Sequence, residues 1–337
     1  MASSPRKRQR RKIVASAPPR RAEAPVAAVR PADSSTRANG VLDWLLRRLP
    51  TRHREKLRDY LVLTRMDRPI GALLLLWPTW WALWLAAGDW PPWKLLAIFT
   101  LGVFAMRAAG CAINDYADRK LDPQVARTAG RPIASGRVTP REALAVFGTL
   151  LAFAFVLVLF TNRLTIELSF AGAALAAIYP FTKRWTSLPQ VVLGAAFGWA
   201  IPMAFAAVAG TVPPLGWLLF IANILWSVVY DTEYAMVDRE DDLKAGAKST
   251  AILFGDADRP ILGVLMATLL LTMVFVGQRA HLGWPYGLGL LVTAGLFAYQ
   301  LWRIRTRERG ACLAAFRHNN WVGLTLWIGI VLALAVK

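Results

Sequence analysis

Asn114, Asp118 and Asp122 stand four residues apart in AINDYADRKLD, with Asp115 directly after the first of them. On a helix this spacing stacks three oxygen-bearing side chains on one face, about a turn apart. Like charges so placed repel, and the arrangement is unfavourable unless a cation sits among them. Oxygen donors without His or Cys suit a hard cation, and Mg2+ commonly takes one or two carboxylates together with phosphate oxygens. A second group follows in VVYDTEYAMVDREDDLKAGAKST, where Asp231, Asp238 and Asp242 fall at i, i+7 and i+11, again one helical face. Glu233, Glu240 and Asp241 add charge around it, and Lys244 and Lys248 follow. A single acid run beside bases is ordinarily a solvated face. Two runs with matching steps, each continuous with an apolar segment, point instead to a metal–diphosphate site. Its acids would hold Mg2+, and lysines and arginines would take the remaining phosphate oxygens.

The segments that position these acids read as membrane helices. Of 337 residues, 56% are hydrophobic and 18% charged. The apolar residues come in blocks of about 20, the length that spans a bilayer as helix, rather than at the periods of a soluble domain. Nine blocks are legible, at 70–87, 93–113, 143–160, 164–181, 191–209, 215–229, 261–276, 285–301 and 321–336. The sixth is the shortest. The acid groups follow the second and sixth blocks, so both belong on the same side of the membrane.

Charge gives the orientation. The formal net charge is +19, and about half of it lies in the N-terminal tail. Arg119, Lys120, Arg127, Arg131, Arg137 and Arg141 lie between the second and third blocks. Lys183 and Arg184 follow the fourth, and Arg303, Arg305, Arg307, Arg309 and Arg317 follow the eighth. The connections at 88–92, 161–163 and 210–214 are nearly free of base. By the positive-inside rule the basic loops and the N-terminus are cytoplasmic, and Lys337 lies on the far side. A bacterial inner membrane is the expected location, with the mitochondrial inner membrane as the alternative. Cys111 and Cys312 both map near the reducing cytoplasmic face, so no disulfide is expected. The histidines His53, His281 and His318 are scattered and make no zinc set.

Residues 1–40, with RKRQRRK, have too little apolar surface to offset ordering entropy and read as a disordered basic tail. Contact with anionic lipid accounts for such a tail, and a mitochondrial presequence is the sharper alternative. A nucleic-acid partner is not expected, because no aromatic residues interleave the bases. Residues 41–64 repeat Leu42, Leu45, Leu46, Leu49, Leu57, Tyr60 and Leu61 at helical spacing, as in an amphipathic surface helix.

The stretches MRAAGCAINDYADRKLD and YDTEYAMVDREDDLKAGAKSTAILFG are similar to the UbiA family of membrane prenyltransferases. The likeness extends through RMDRPIGALLLLWPTWWALW, RTAGRPIASG, YPFTKRWTSLPQVVLGAAFGWAIPMAFAA and HNNWVGL, and it favours the branch of the family that prenylates 4-hydroxybenzoate. The resemblance implies an all-α bundle of nine transmembrane helices around a central cavity, occupying residues 65–337. It also implies Mg2+-dependent transfer of a polyprenyl group from polyprenyl diphosphate to the ring carbon ortho to the hydroxyl of 4-hydroxybenzoate. The family pattern N-D-x-x-D-x-x-x-D falls on Asn114, Asp115, Asp118 and Asp122. The pattern D-x-x-x-D falls on Asp238 and Asp242, with Asp231 before it, and Y-x-x-x-K falls on Tyr179 and Lys183, which would contact the diphosphate. Asn114, Asp118, Asp122, Asp238 and Asp242 are the implied metal ligands.

An aromatic carboxylate calls for an arginine, whose planar fork matches it. Arg65 and Arg68 precede the first block, and either could equally be a positive-inside anchor. Arg107 lies within the second block, seven residues before Asn114 and on the same face, and needs an anionic partner there, either a motif carboxylate or the substrate. Arg131 and Arg137 are loop bases or a lid over the phosphates, and Lys248 follows the second acid group. A different aromatic acceptor is the nearest rival. A cation transporter is the rival from another class, opposed by acids confined to the helix ends and by the lack of a charged ladder beyond them.

Overall fold

The structure, a computed structural model, describes residues 50–68, 70–124, 128–182 and 184–337. Tail residues 1–40 and the first part of the expected surface helix, 41–49, lie outside the described residues. The remainder of that helix is observed as α1, Thr51–Leu63. Then follow α2 (Ile70–Ala87), α3 (Trp93–Asp118), α4 (Pro140–Val158), α5 (Arg163–Thr182), α6 (Pro189–Gly198), α7 (Ala200–Ala209) and α8 (Pro214–Ala245). A short α9 (Thr250–Phe254) leads into α10 (Asp258–Arg279), α11 (Trp284–Arg303) and α12 (Arg309–Ala335).

Among the described residues, nine helical segments are long and apolar enough to cross a membrane, one for each sequence block. The fifth is α6 and α7 in line, interrupted at Trp199. Pro202, in the first turn of α7, has no N–H to return to the Gly198 carbonyl. Large apolar side chains such as Phe153, Val156, Phe160, Phe170 and Leu291 cover the outside of the bundle. Hydrocarbon tolerates that surface because the helices satisfy their own backbone groups. The chain is a multi-pass membrane protein.

Two segments outrun their apolar blocks. α8 continues beyond 229 through Asp242 to Ala245 and stops at Gly246, whose φ of 68° is the left-handed cap glycine allows. α12 starts at Arg309, well before 321, and carries the buried Asn319 ahead of the apolar block. Asn319, fully buried, donates from Nδ2 to Glu233 Oε2 at 2.7 Å, and its Oδ1 accepts from Trp226 Nε1 at 2.9 Å. This polar knot fastens the back of α8 to α12. α2 joins the same core through Trp81, which donates to the Gly323 carbonyl at 3.0 Å.

On the acid-bearing side, α4 opens with a capping box. Thr139 Oγ1 accepts from the Glu142 N–H, and Glu142 Oε2 accepts from the Thr139 N–H at 2.7 Å. Glu142 also receives Lys56 and Tyr60 from α1, so α1 is pinned to the loop entering α4.

Candidate active site

Two adjoining cavities hold nearly all the residues singled out above. The larger, about 590 Å3, runs among α2–α8 and is walled mainly by apolar side chains such as Leu151, Phe155 and Phe197. The smaller, about 170 Å3, is lined by Asn114, Asp118, Asp122, Asp231, Asp238, Asp242 and Lys248. Asn114, Arg131, Tyr179, Asp231 and Tyr234 border both. A polar, acid-lined chamber therefore opens onto an apolar one across a shared rim.

The first acid group departs from the single helical face expected of it. α3 ends at Asp118, and Asp122 begins a separate 3-10 turn, Asp122–Gln124. Pro123 supplies the reason, since a residue before proline is steered away from the α conformation. Arg131 replaces the lost helical register. Its Nη1 lies 3.0 Å from both Asp122 oxygens and 3.1 Å from Asp115 Oδ1. Arg65 Nη2 donates to the two Asp115 oxygens at 3.0 and 3.1 Å. Asp115 is only 1% exposed, so two guanidinium groups compensate a carboxylate that water cannot reach. Burial pushes the Asp122 carboxyl up to about 6, with Asp118 and Asp115 raising it further and Arg131 opposing them.

The second group is simpler. Asp231, Asp238 and Asp242 all lie on uninterrupted α8, as the spacing requires, and line the small chamber. The donor set suits a hard divalent cation: oxygen only, acidic, and opposite a lysine. Among the described residues, no three His, Cys, Asp or Glu side chains close around a single point. That fits an ion that takes one or two carboxylates and draws its other ligands from phosphate and water.

The basic candidates separate clearly. Lys248 lines the acid chamber, Arg131 and Tyr179 stand at the rim, and Arg107 is in the wall of the larger cavity. Among the described residues Arg107 makes no ion pair with an acid of the motifs, contrary to one of its two expected pairings; its Nη1 donates to Cys111 Sγ at 2.7 Å. Arg65 borders the cavity with Nη2 on Asp115 and Nη1 donating to the Val62 carbonyl at 2.6 Å. Arg68, two-thirds exposed, is paired with Asp67 at 3.3 Å at the cavity mouth. Arg137 borders neither cavity and is held by Asp59 at 2.6 Å and the Gly130 carbonyl at 2.8 Å. Lys183 lies outside the described residues.

Several wall residues were not singled out from the sequence. Tyr234 sits at the rim three residues after Asp231, and the helical periodicity that grouped the acids, extended to i+3, could have found it. Gln190 could not have been found this way. It reaches the acid chamber from α6, and its Oε1 accepts from the Thr250 N–H at 3.1 Å, fixing the turn that carries Lys248 and Ser249.

Comparison with known proteins agrees with this geometry. Residues 75–329 match the model of the UbiA prenyltransferase family. The chain is 59% identical over 280 residues to a 4-hydroxybenzoate octaprenyltransferase of Xylella fastidiosa, covering 83% of this chain and 94% of that protein. It is 58% identical over 279 residues to the protein of that name from Pseudomonas syringae pv. syringae, with the same coverage. The apo structure of a UbiA homolog from Aeropyrum pernix K1 superposes with a TM-score of 0.69 at 25% identity, covering 78% of this chain and 98% of that one. A UbiA homolog from Archaeoglobus fulgidus, bound to GPP and Mg2+, gives 0.61 at 18% identity, covering 83% and 100%. With its helix order, its paired acid segments and these relatives in agreement, the chain belongs to the UbiA prenyltransferase family.

Proposed function

We propose that this protein transfers a polyprenyl group from polyprenyl diphosphate to 4-hydroxybenzoate, forming 3-polyprenyl-4-hydroxybenzoate, the step at which the ring of ubiquinone acquires its tail. The carrying observation is the junction of the two cavities. A diphosphate in the acid chamber has its first allylic carbon at the rim of Asn114, Tyr179 and Asp231, and its hydrocarbon in the apolar cavity. Relatives named 4-hydroxybenzoate octaprenyltransferase, at 58–59% identity over most of both chains, support the choice of acceptor.

Asn114, Asp118, Asp122, Asp238 and Asp242 would hold the divalent cation, Mg2+ by the chemistry of the donors. When bound, it neutralises the charge that gathers on the departing diphosphate. Lys248 and Arg131 supply cationic donors to the phosphate oxygens from the chain itself. Arg107 holds the carboxylate of the acceptor, so that the ring carbon beside the hydroxyl faces the rim. That carbon attacks the allylic cation left when the C–O bond ionises, and loss of its proton restores the aromatic ring. Tyr179, Tyr234 and Phe197 offer ring faces to the cation, and the apolar walls exclude the water that would quench it.

The basic loops and the acid chamber face the cytoplasm, and the membrane is a bacterial inner membrane. A cation pathway is disfavoured because the space beyond the acids is walled by Leu151, Ala154, Phe155 and Val158 rather than by polar groups. Membranes containing the protein should form 3-polyprenyl-4-hydroxybenzoate, identified by mass spectrometry. EDTA should stop the reaction and Mg2+ restore it. Full turnover in exhaustively chelated membranes, or preference for an acceptor without a carboxylate, would refute the proposal.

A further inference from the structure

Arg107 is fixed on three sides by groups that carry no charge. Nη1 reaches Cys111 Sγ, one turn further along α3, and the guanidinium carbon lies 5.8 Å from the centre of the Phe197 ring. The third side is Gly71, near the start of α2. A methyl group built on Gly71 would fall 2.6 Å from Arg107 Nη2 and 2.7 Å from Nε, closer than atoms can pack. Glycine within a helix costs about 1 kcal/mol relative to alanine, and Gly71 has ordinary helical backbone with no turn to explain it. What uses the missing side chain is the guanidinium.

We propose that Gly71 and Cys111 are positioning residues for the aromatic acceptor: they hold the Arg107 guanidinium against the cavity wall, with its remaining N–H donors turned toward a carboxylate in the cavity. The inference rests on the reading of Arg107 given above. Its physical basis is competition. An arginine is long and flexible, and Asp231 borders the same cavity. Left to swing, the guanidinium would be drawn toward the acids and would neutralise them instead of the acceptor. Gly71 supplies a recess for one edge of the planar group, Cys111 a soft acceptor for one end, and Phe197 a face to lie against. None of the three offers a negative charge to satisfy it, so its attraction for an incoming carboxylate is kept. Fixing the plane of the fork also fixes the plane and depth of the acceptor ring. The pair would thereby select an acid whose carboxylate lies across the ring from the hydroxyl.

Steady-state kinetics of the full chain in membranes test this, with Gly71→Ala, Cys111→Ala, Cys111→Ser and Arg107→Gln compared at matched abundance. Gly71→Ala and Cys111→Ala should each raise KM for 4-hydroxybenzoate about tenfold and leave KM for the polyprenyl diphosphate unchanged, as expected when one substrate's binding contact is displaced. Cys111→Ser retains an acceptor for Nη1 and should recover most of the loss. If Arg107→Gln leaves KM for 4-hydroxybenzoate unaltered, Arg107 does not hold the acceptor, and the underlying reading fails. If Arg107→Gln raises it while Cys111→Ala does not, the positioning inference alone is overturned. A parallel rise in both KM values for Gly71→Ala and Cys111→Ala overturns it as well, since that is the mark of a general packing defect. Should Gly71→Ala not accumulate in the membrane, the Cys111 pair decides the question unaided.

Discussion

The two acid-bearing segments line one chamber but are built in opposite ways. Asp231, Asp238 and Asp242 ride on a single helix, α8, whose back is fastened to α12 through Glu233, Asn319 and Trp226. Its C-terminal end is tied down again by Arg309, which reaches Asp241 and Glu240 at 3.2 Å. Asp115, Asp118 and Asp122 are split between a helix end and a detached turn, and arginines from two other segments hold Asp115 and Asp122. One wall takes its geometry from secondary structure, the other from ion pairs. A wall held by ion pairs can exchange partners when a diphosphate and its cations arrive, whereas a wall held by a rigid helix keeps its place. The difference suggests a division of labour within one site: α8 sets the position of the charge, and the α3 side adapts to it.

The largest effect should come from cutting both walls. Asp118→Ala and Asp238→Ala each remove a carboxylate from the chamber proposed to receive the leaving group. By analogy with removing one preorganised charge-stabilising contact, each should lower turnover about a hundredfold to a thousandfold. Groups that serve one bound ion cluster act as a unit, so the double mutant should be little worse than the poorer single mutant. Turnover of the three variants at equal membrane abundance measures this. Losses that simply multiply would mean that the walls do not share a substrate, and the comparison would lose its basis.

An intermediate effect should separate the acids within the first wall. Asp115 is the acid shared by Arg65 and Arg131, and its removal would take the carboxylate from the partly buried Arg65 guanidinium and leave Arg131 to Asp122. Breaking such a buried pair costs about 3–5 kcal/mol. Asp115→Ala should therefore melt well below wild type in detergent. An Asp115→Ala protein as stable as wild type yet inactive would move Asp115 from holding the arginines to acting on the substrate.

These distinctions mark where the sequence stops being informative. The nine spans and the shared side of the acid groups were legible because block length and loop charge are one-dimensional properties. The spacing of Asp231, Asp238 and Asp242 survived folding because nothing between them interrupts a helix. Asp122 left its expected face because Pro123, one residue further on, ends the register; the signal was present in the sequence, but spacing alone overrode it. The pairings of Arg65 and Arg131 with Asp115 join residues from separate segments, and no local pattern announces them. Arg107 was suspect from the sequence as a charge inside an apolar stretch. That its immediate neighbours would be a thiol, a phenyl ring and a glycine was visible only in three dimensions.

The smallest expected effect tests the rigid wall. Glu233 lies on α8 between Asp231 and Asp238, and in the sequence it is indistinguishable from the acids around it. In the structure it is fully buried on the opposite side of the helix and lines neither chamber. Its Oε2 accepts from Asn319, and among the described residues its Oε1 has no hydrogen-bond partner. If its role is that one accepted hydrogen bond, the carbonyl of glutamine can take it over with the same reach and nearly the same volume. Glu233→Gln should then change stability by no more than about 1 kcal/mol, the size of an ordinary hydrogen bond, and leave turnover as it was. Asp238→Asn is the control: the same acid-to-amide change two turns or less away, in a side chain that lines the acid chamber, should abolish most activity. Glu233→Leu completes the set by removing the acceptor, which leaves Asn319 Nδ2 to the Ala315 carbonyl at 3.1 Å and loosens α8 from α12. Its turnover should fall with its melting temperature rather than ahead of it. A Glu233→Gln protein that is stable but slow would show that this carboxylate acts on the chamber through the helix, and α8 would then be more than a rigid support.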